Sequence, residues 1–259
     1  MNKIADAFDH GKAFVAFITY GDPDLETTAK AVRAAVANGA DLIELGIPFS
    51  DPTAEGPVIQ EANLRALQGG MTTDLIFGFV KELRKDVTVP LVFMTYANVI
   101  FSYGAEKFIS TCAQIGIDGL ILPDLPFEEK EEFQPLCRRY GVALVSLIAP
   151  TSENRVAMIA REAEGFIYLV SSLGVTGTRS EITTDLAPII RTIRENAKVP
   201  VAIGFGISTP EQAKSMAALS DGAIVGSAIE KILARYGKDA PEHIGEYVRS
   251  MKDALKELN

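Results

Sequence analysis

The chain has 259 residues, 47% hydrophobic and 23% charged, with a formal net charge of −9. That length suits one large α/β domain or two small ones, with room for a sizeable core. The acidic balance argues against non-specific DNA or RNA binding, which needs basic patches, but leaves open a phosphorylated small molecule held by backbone N–H groups.

In chain order, a short helix is expected over Asn2 to Phe8. The run AFVAFITY, Ala13 to Tyr20, follows the acidic Asp6 and Asp9 and enters Gly-Asp-Pro without a small-residue cleavage pattern. It therefore reads as a first strand over 13–19 rather than a signal-peptide core. A helical pattern, LETTAKAVRAAVANG, follows, with Gly39 where it should end. The next strand is 42–46, and a loop rich in Pro and Gly leads to a helix from Val58 to Leu67. Further strands are expected over 90–96, 119–124, 142–148, 165–171, 200–206 and 222–228. Helical stretches such as GAEKFISTCAQIG, EEKEEFQPLCRRYG and STPEQAKSMAALSDG separate them, with stop signals at Gly116 and Gly141 and a start signal at Ser208-Thr209-Pro210-Glu211.

Near-continuous apolar strands alternating with helices imply parallel β-structure covered by helices. Eight such units fit a closed (β/α)8 TIM barrel better than an open sheet, and GxGxxG is absent after the first strand. No linker or low-complexity stretch appears, so residues 1–259 read as one domain. Nothing approaches a membrane span of roughly 20 apolar residues, and a cytoplasmic location is expected. Cys112 and Cys137 lie in helix-like segments, and His10 and His243 near opposite chain ends. A disulfide framework, a metal site or a His-based triad therefore has little support.

Strand period places Leu42 and Glu44 inside the barrel and Ile43 and Leu45 toward the helices. Glu44 then lies near the C-terminal mouth, where desolvation raises a carboxyl's pKa and suits it to proton exchange. The alternative is a structural acid satisfied by a Tyr or a backbone N–H. Asp51 and Glu55, in the loop beyond, read either as a solvated turn or as a second acid over the same mouth. Gly204, Phe205 and Gly206 in GFGIS, and Gly226 and Ser227 in GSAIEK, end the last two strands, where barrels often bind phosphate. Each glycine alone also fits a tight turn. The stretch Ser171 to Asp185 is long and polar, a lid or simply a flexible loop. Phe17, Tyr96, Tyr168 and Phe205 lie at strand ends, as walls of an aromatic pocket or as core packing.

These residues also carry a family pattern. GDPD (21–24), ELGIPFSDPTAEGPVIQ (44–60), MTYANVIFSYG (94–104), DLPFEE (124–129), YLVSSLGVTGTR (168–179), GFGIS and GSAI occur in order along the chain. The chain resembles the tryptophan synthase α subunit over essentially its whole length. The resemblance implies a lyase in a (β/α)8 barrel that cleaves indole-3-glycerol phosphate to indole and D-glyceraldehyde 3-phosphate. It also implies a β-subunit partner in an α2β2 assembly, with pyridoxal phosphate on that partner and no cofactor on this chain. By the same resemblance, Glu44 and Glu55 are catalytic, Glu55 standing where the family usually has Asp. Thr176 and Gly177 match the lid motif. Gly206, Gly226 and Ser227 match phosphate contacts, and Phe17, Tyr96, Tyr168, Phe205 and Ile224 match the indole pocket. The alternatives are another phosphate-binding barrel such as a sugar-phosphate isomerase or epimerase, a weakly catalytic subunit that mainly activates a β subunit, and a stand-alone indoleglycerol phosphate lyase.

Overall fold

A computed structural model describes residues 3–171 and 185–258. Its strands are β1 (Ala13–Thr19), β2 (Leu42–Gly46), β3 (Leu91–Met94), β4 (Gly119–Ile121), β5 (Ala143–Ile148), β6 (Glu164–Val170), β7 (Val201–Gly204) and β8 (Gly222–Val225). They pair in sequence order, all parallel, and β8 pairs back to β1, closing a barrel. The fold is the (β/α)8 TIM barrel that the alternating pattern implies. The helices are α1 (Leu25–Ala37), α2 (Pro57–Gln68), α3 (Thr73–Leu83), α4 (Ala97–Tyr103), α5 (Ala105–Ile115), α6 (Gln134–Tyr140), α7 (Glu153–Arg161), α8 (Ala187–Asn196), α9 (Pro210–Leu219), α10 (Ser227–Tyr236) and α11 (Ala240–Lys256).

Two elements differ from expectation. The first helix is a 3-10 turn, Ala5–Phe8. The stretch EEKEEFQPLCRRYG splits into a 3-10 turn, Phe127–Glu132, and α6, because Pro135 has no N–H and suits only the first turn of a new helix. Several strands also stop short of their apolar runs, since the residues beyond Met94, Ile121 and Val225 turn into mouth loops. The expected caps form. Thr209 and Gln212 make a capping box at α9, and Gly116 and Gly141 end α5 and α6 in the left-handed conformation.

Alternation along the strands divides the core. Val15, Phe17, Leu42, Val92 and Tyr168 pack inside the barrel. Phe14, Ala16, Ile43 and Leu45 pack outward with helix residues such as Val32 and Ala35. The lower end is plugged by fully buried Ile4. Gly119 and Gly165 make room for it, since a Cβ on either would lie 3.0 or 3.1 Å from Ile4 Cδ1.

Arg84 ties the same end together. It donates to the carbonyls of Gly116, Val87 and Val89 and pairs with Asp118, which accepts from the Leu91 N–H at 3.0 Å. Arg84→Met should therefore cost about 3 kcal/mol, because it strands a largely buried Asp118. Urea unfolding measures the loss, and ligand binding at the opposite mouth, tested well below the melting temperature, should be unchanged.

Candidate active site

Glu44 lies on β2 between its register partners Phe17 of β1 and Val92 of β3. It is 1% exposed, and its Oε2 has no hydrogen-bond partner among the described residues. Desolvation, reinforced by the charge of Glu55, pushes its carboxyl up to about 8. Burial likewise raises the Tyr168 hydroxyl, with Glu44 a further cause. An acid that holds its proton near neutral pH can give a proton and then take one.

Glu55 is also buried, although it sits in the loop after β2. Three groups act on it. Asn63 of α2 donates to its Oε2 at 2.5 Å, Gln60 of α2 donates to its carbonyl at 2.7 Å, and the nearby Tyr96 hydroxyl favours its charged form. Burial pushes Glu55 up to about 7, with Asn63 and Tyr96 pulling the other way. Asp51, in contrast, is exposed and accepts from the Ser50 hydroxyl, so the structure does not bring it into the site.

The expected residues mostly converge. Phe17, Glu44, Tyr168 and Ile224 line one cavity together with Phe205, Gly206, Gly226 and Ser227. Gly226 precedes α10 and offers no capping side chain, and its carbonyl already accepts from the Ile229 and Glu230 N–H groups, which leaves those of Ser227 and Ala228 to an anion. Gly204 sits beneath Tyr168, where a Cβ would lie 2.6 Å from the ring Cε1. Tyr96 lines neither this cavity nor its neighbour. It stacks on Phe49 and turns its hydroxyl to the loop, accepting from the Ala54 N–H at 3.3 Å. Thr176 and Gly177 lie outside the described residues.

The cavity over Glu44 is small, about 20 Å³, but a cleft of about 590 Å³ adjoins it and shares Phe205. Leu122, Pro126, Phe127, Leu147 and Val170 give the cleft apolar walls, with Lys130, Gln134 and Arg155 also lining it. Its size is that of a site for a drug-sized ligand. A bulky aromatic ligand would use the cleft and reach the acids past Phe205.

Phe205 has φ 74°, a left-handed conformation that a bulky side chain rarely takes. Ser171 holds it there, donating from its hydroxyl to the Phe205 carbonyl and from its N–H to the Gly204 carbonyl at 3.0 Å. Backbone strain of this kind collects at binding sites. The site residues that sequence reasoning missed are supports. Asn63 and Gln60 carried no local signal, since Glu55 lies before α2 and the loop alone brings it back onto that helix. The φ of Phe205 carried none. Among the described residues no cluster of His, Cys, Asp or Glu is placed to hold a metal ion, and no helix is long and apolar enough to cross a membrane.

Comparison with known proteins bears on this geometry. A sequence model of the family described as tryptophan synthase alpha chain matches residues 5–257. The tryptophan synthase alpha chain of Lacticaseibacillus casei is 46% identical, covering 100% of this chain and 98% of that protein. That of Lactiplantibacillus plantarum is 48% identical, covering 98% and 97%. The solved alpha chain of Legionella pneumophila superposes with a TM-score of 0.88 at 34% identity, over 100% of this chain and 99% of that one. A chain from the tryptophan synthase a2b2 complex of Pyrococcus furiosus superposes with a TM-score of 0.87 at 36% identity, over 94% and 99%.

The packing of Tyr168 on Gly204 is testable. Gly204→Ala forces a methyl into a filled space and should destabilise by about 1–3 kcal/mol while displacing Tyr168. Gly226→Ala meets only Phe17, at 3.2 Å, and should cost less. Unfolding of the two variants side by side in urea checks the order.

Proposed function

The chain belongs to the tryptophan synthase alpha chain family and has the α-subunit role in tryptophan biosynthesis, and from that we propose that it is a carbon–carbon lyase. In this reading it cleaves indole-3-glycerol phosphate to indole and D-glyceraldehyde 3-phosphate. The observation that carries the reading is the pair of buried acids, Glu44 and Glu55, pushed up to about 8 and about 7.

The phosphate is held at the head of α10 by Gly226 and Ser227 and by the turn at Gly206, where backbone N–H groups meet the anion. The indole ring occupies the apolar cleft beside Phe205. Glu44, protonated at rest, gives its proton to the indole carbon that bears the glycerol chain. Positive charge then develops at the indole nitrogen, and Glu55 accepts the N–H hydrogen bond and stabilises that charge. The Glu44 carboxylate next takes the proton of the adjacent glycerol hydroxyl. That oxygen becomes the aldehyde carbonyl, the carbon–carbon bond breaks, and its electron pair returns to the ring. Glu44 ends protonated as it began, and no step is routed through a cofactor on this chain. Thr176 and Gly177 belong to this reading as lid residues.

We also infer a β-subunit partner, carrying pyridoxal phosphate, and a cytoplasmic setting. The similarity to a chain from an a2b2 complex supports the partner. So does Phe101 on α4, which is 52% exposed beside the mouth with its ring against Phe133. The Asn63 and Tyr96 contacts to Glu55 favour a competent enzyme over a merely activating subunit, because they hold the longer side chain in place.

The test is indole release from indole-3-glycerol phosphate by the complex with β subunit. Glu44→Gln should cut kcat by about 10² or more, since the amide keeps the shape but cannot exchange a proton. Near-normal turnover by that variant would remove Glu44 from the reaction. Glu55→Asp withdraws the carboxylate by about one bond length, ~1.5 Å, and should lower kcat/KM. A several-fold gain would show instead that Glu55 is misplaced.

A further inference from the structure

The mechanism leaves another buried carboxyl at the mouth unused. Glu230 lies three residues beyond Ser227 in α10 and is fully buried. Its Oε1 accepts from the Thr19 N–H, at the end of β1, at 2.6 Å. Its Oε2 and the Thr19 Oγ1 are buried and have no hydrogen-bond partner among the described residues. An acid so placed is costly, and an apolar side chain of similar volume would fill the space without that cost.

Its neighbours connect it to the site on two sides. Asp22, in the loop after β1, accepts two hydrogen bonds from Arg65 of α2, at 2.8 and 2.7 Å. Both groups act on Glu230. Burial first, then Asp22, push its carboxyl up, while Thr19 and, less, Arg65 work against them. Arg65 shares α2 with Asn63, which holds Glu55. On the other side, the head of α10 rests on β1, because Gly226 packs against Phe17. The aromatic end of β1, the phosphate turn and the helix that orients Glu55 therefore meet at one cluster.

We propose that Glu230 is a positioning residue for the reaction: by accepting from the Thr19 N–H it holds the head of α10 to the end of β1, and the Asp22–Arg65 ion pair, in the loop just after that strand, ties the same strand end to the helix that carries Asn63. The proposal rests on the lyase reading above. Seating the phosphate and placing the loop acid are then coupled through the end of β1, which makes both contacts. Loss of Glu230 leaves the Thr19 N–H without its acceptor and lets β1 and α10 move apart.

The test uses the full chain in complex with β subunit and follows indole release under steady state, well below the melting temperature. Glu230→Leu should raise KM for indole-3-glycerol phosphate and lower kcat/KM by about tenfold or more, since misplacements on the order of 1 Å cost up to about 10²-fold. Glu230→Gln keeps the acceptor for Thr19 and should stay within about threefold of the unaltered chain. Arg65→Met, which releases Asp22 and α2, should lower kcat/KM in the same direction, and it carries the test if Glu230→Leu does not fold. A folded Glu230→Leu with unchanged kcat and KM would overturn the proposal. So would an unchanged Arg65→Met where Glu230→Leu does not fold, or a Glu230→Gln as impaired as Glu230→Leu. An unaltered complex that releases no indole would remove the lyase reading, and this proposal with it. An active unaltered complex with indifferent variants would remove the proposal alone.

Discussion

The site depends on one unfavourable placement, a carboxyl inside the apolar barrel. Glu44 stands between Phe17 and Val92, with Leu42 below it on the same strand. Water would hold such a group ionised, and its absence here holds the proton on. Every other part of the site answers to this. Glu55 adds its charge to the effect on Glu44, and Tyr168 packs close enough to feel the Glu44 charge in turn. The glycines at 46, 204 and 226 leave space for the rings of Phe17 and Tyr168 that pack around the cavity.

The two ends of the barrel divide the work. At the lower end Ile4 fills the interior, and Arg84 with Asp118 joins loops whose polar groups would otherwise be unpaired. At the mouth the structure tolerates features that cost stability. These are the left-handed Phe205, the buried Glu230 and the oxygen of Glu44 that has no hydrogen-bond partner among the described residues. Mouth costs offset by lower-end packing are what a barrel enzyme needs, because its loops can then be shaped for chemistry.

Much of this was legible in the sequence. Period two along LIELG placed Leu42 and Glu44 inward and Ile43 and Leu45 outward, as the two packing clusters show. GFGIS and GSAI marked the turns at Gly206 and Gly226, which the fold brings into one cavity with Glu44. Contacts between distant segments were not legible. Nothing local says that Asn63 will reach Glu55, that Tyr96 will face the loop rather than the cavity, or that Arg65 will find Asp22. The break before α6 was readable from Pro135, but the unbroken charge pattern around it resembled a single helix. The burial of Glu230 was not legible either, because it depends on the way α10 meets β1 and α2.

Infrared titration of the carboxyl groups tests the central claim most directly. Subtracting the spectrum of Glu44→Gln from that of the unaltered chain isolates the Glu44 band at each pH. Because burial raises its folded-state pKa, the protonated C=O stretch should persist through neutral pH and disappear only as pH rises through about 8. Loss of that band near the ordinary glutamate value of about 4.3 would show that Glu44 is ionised at rest, and the buried proton donor on which the account rests would not exist.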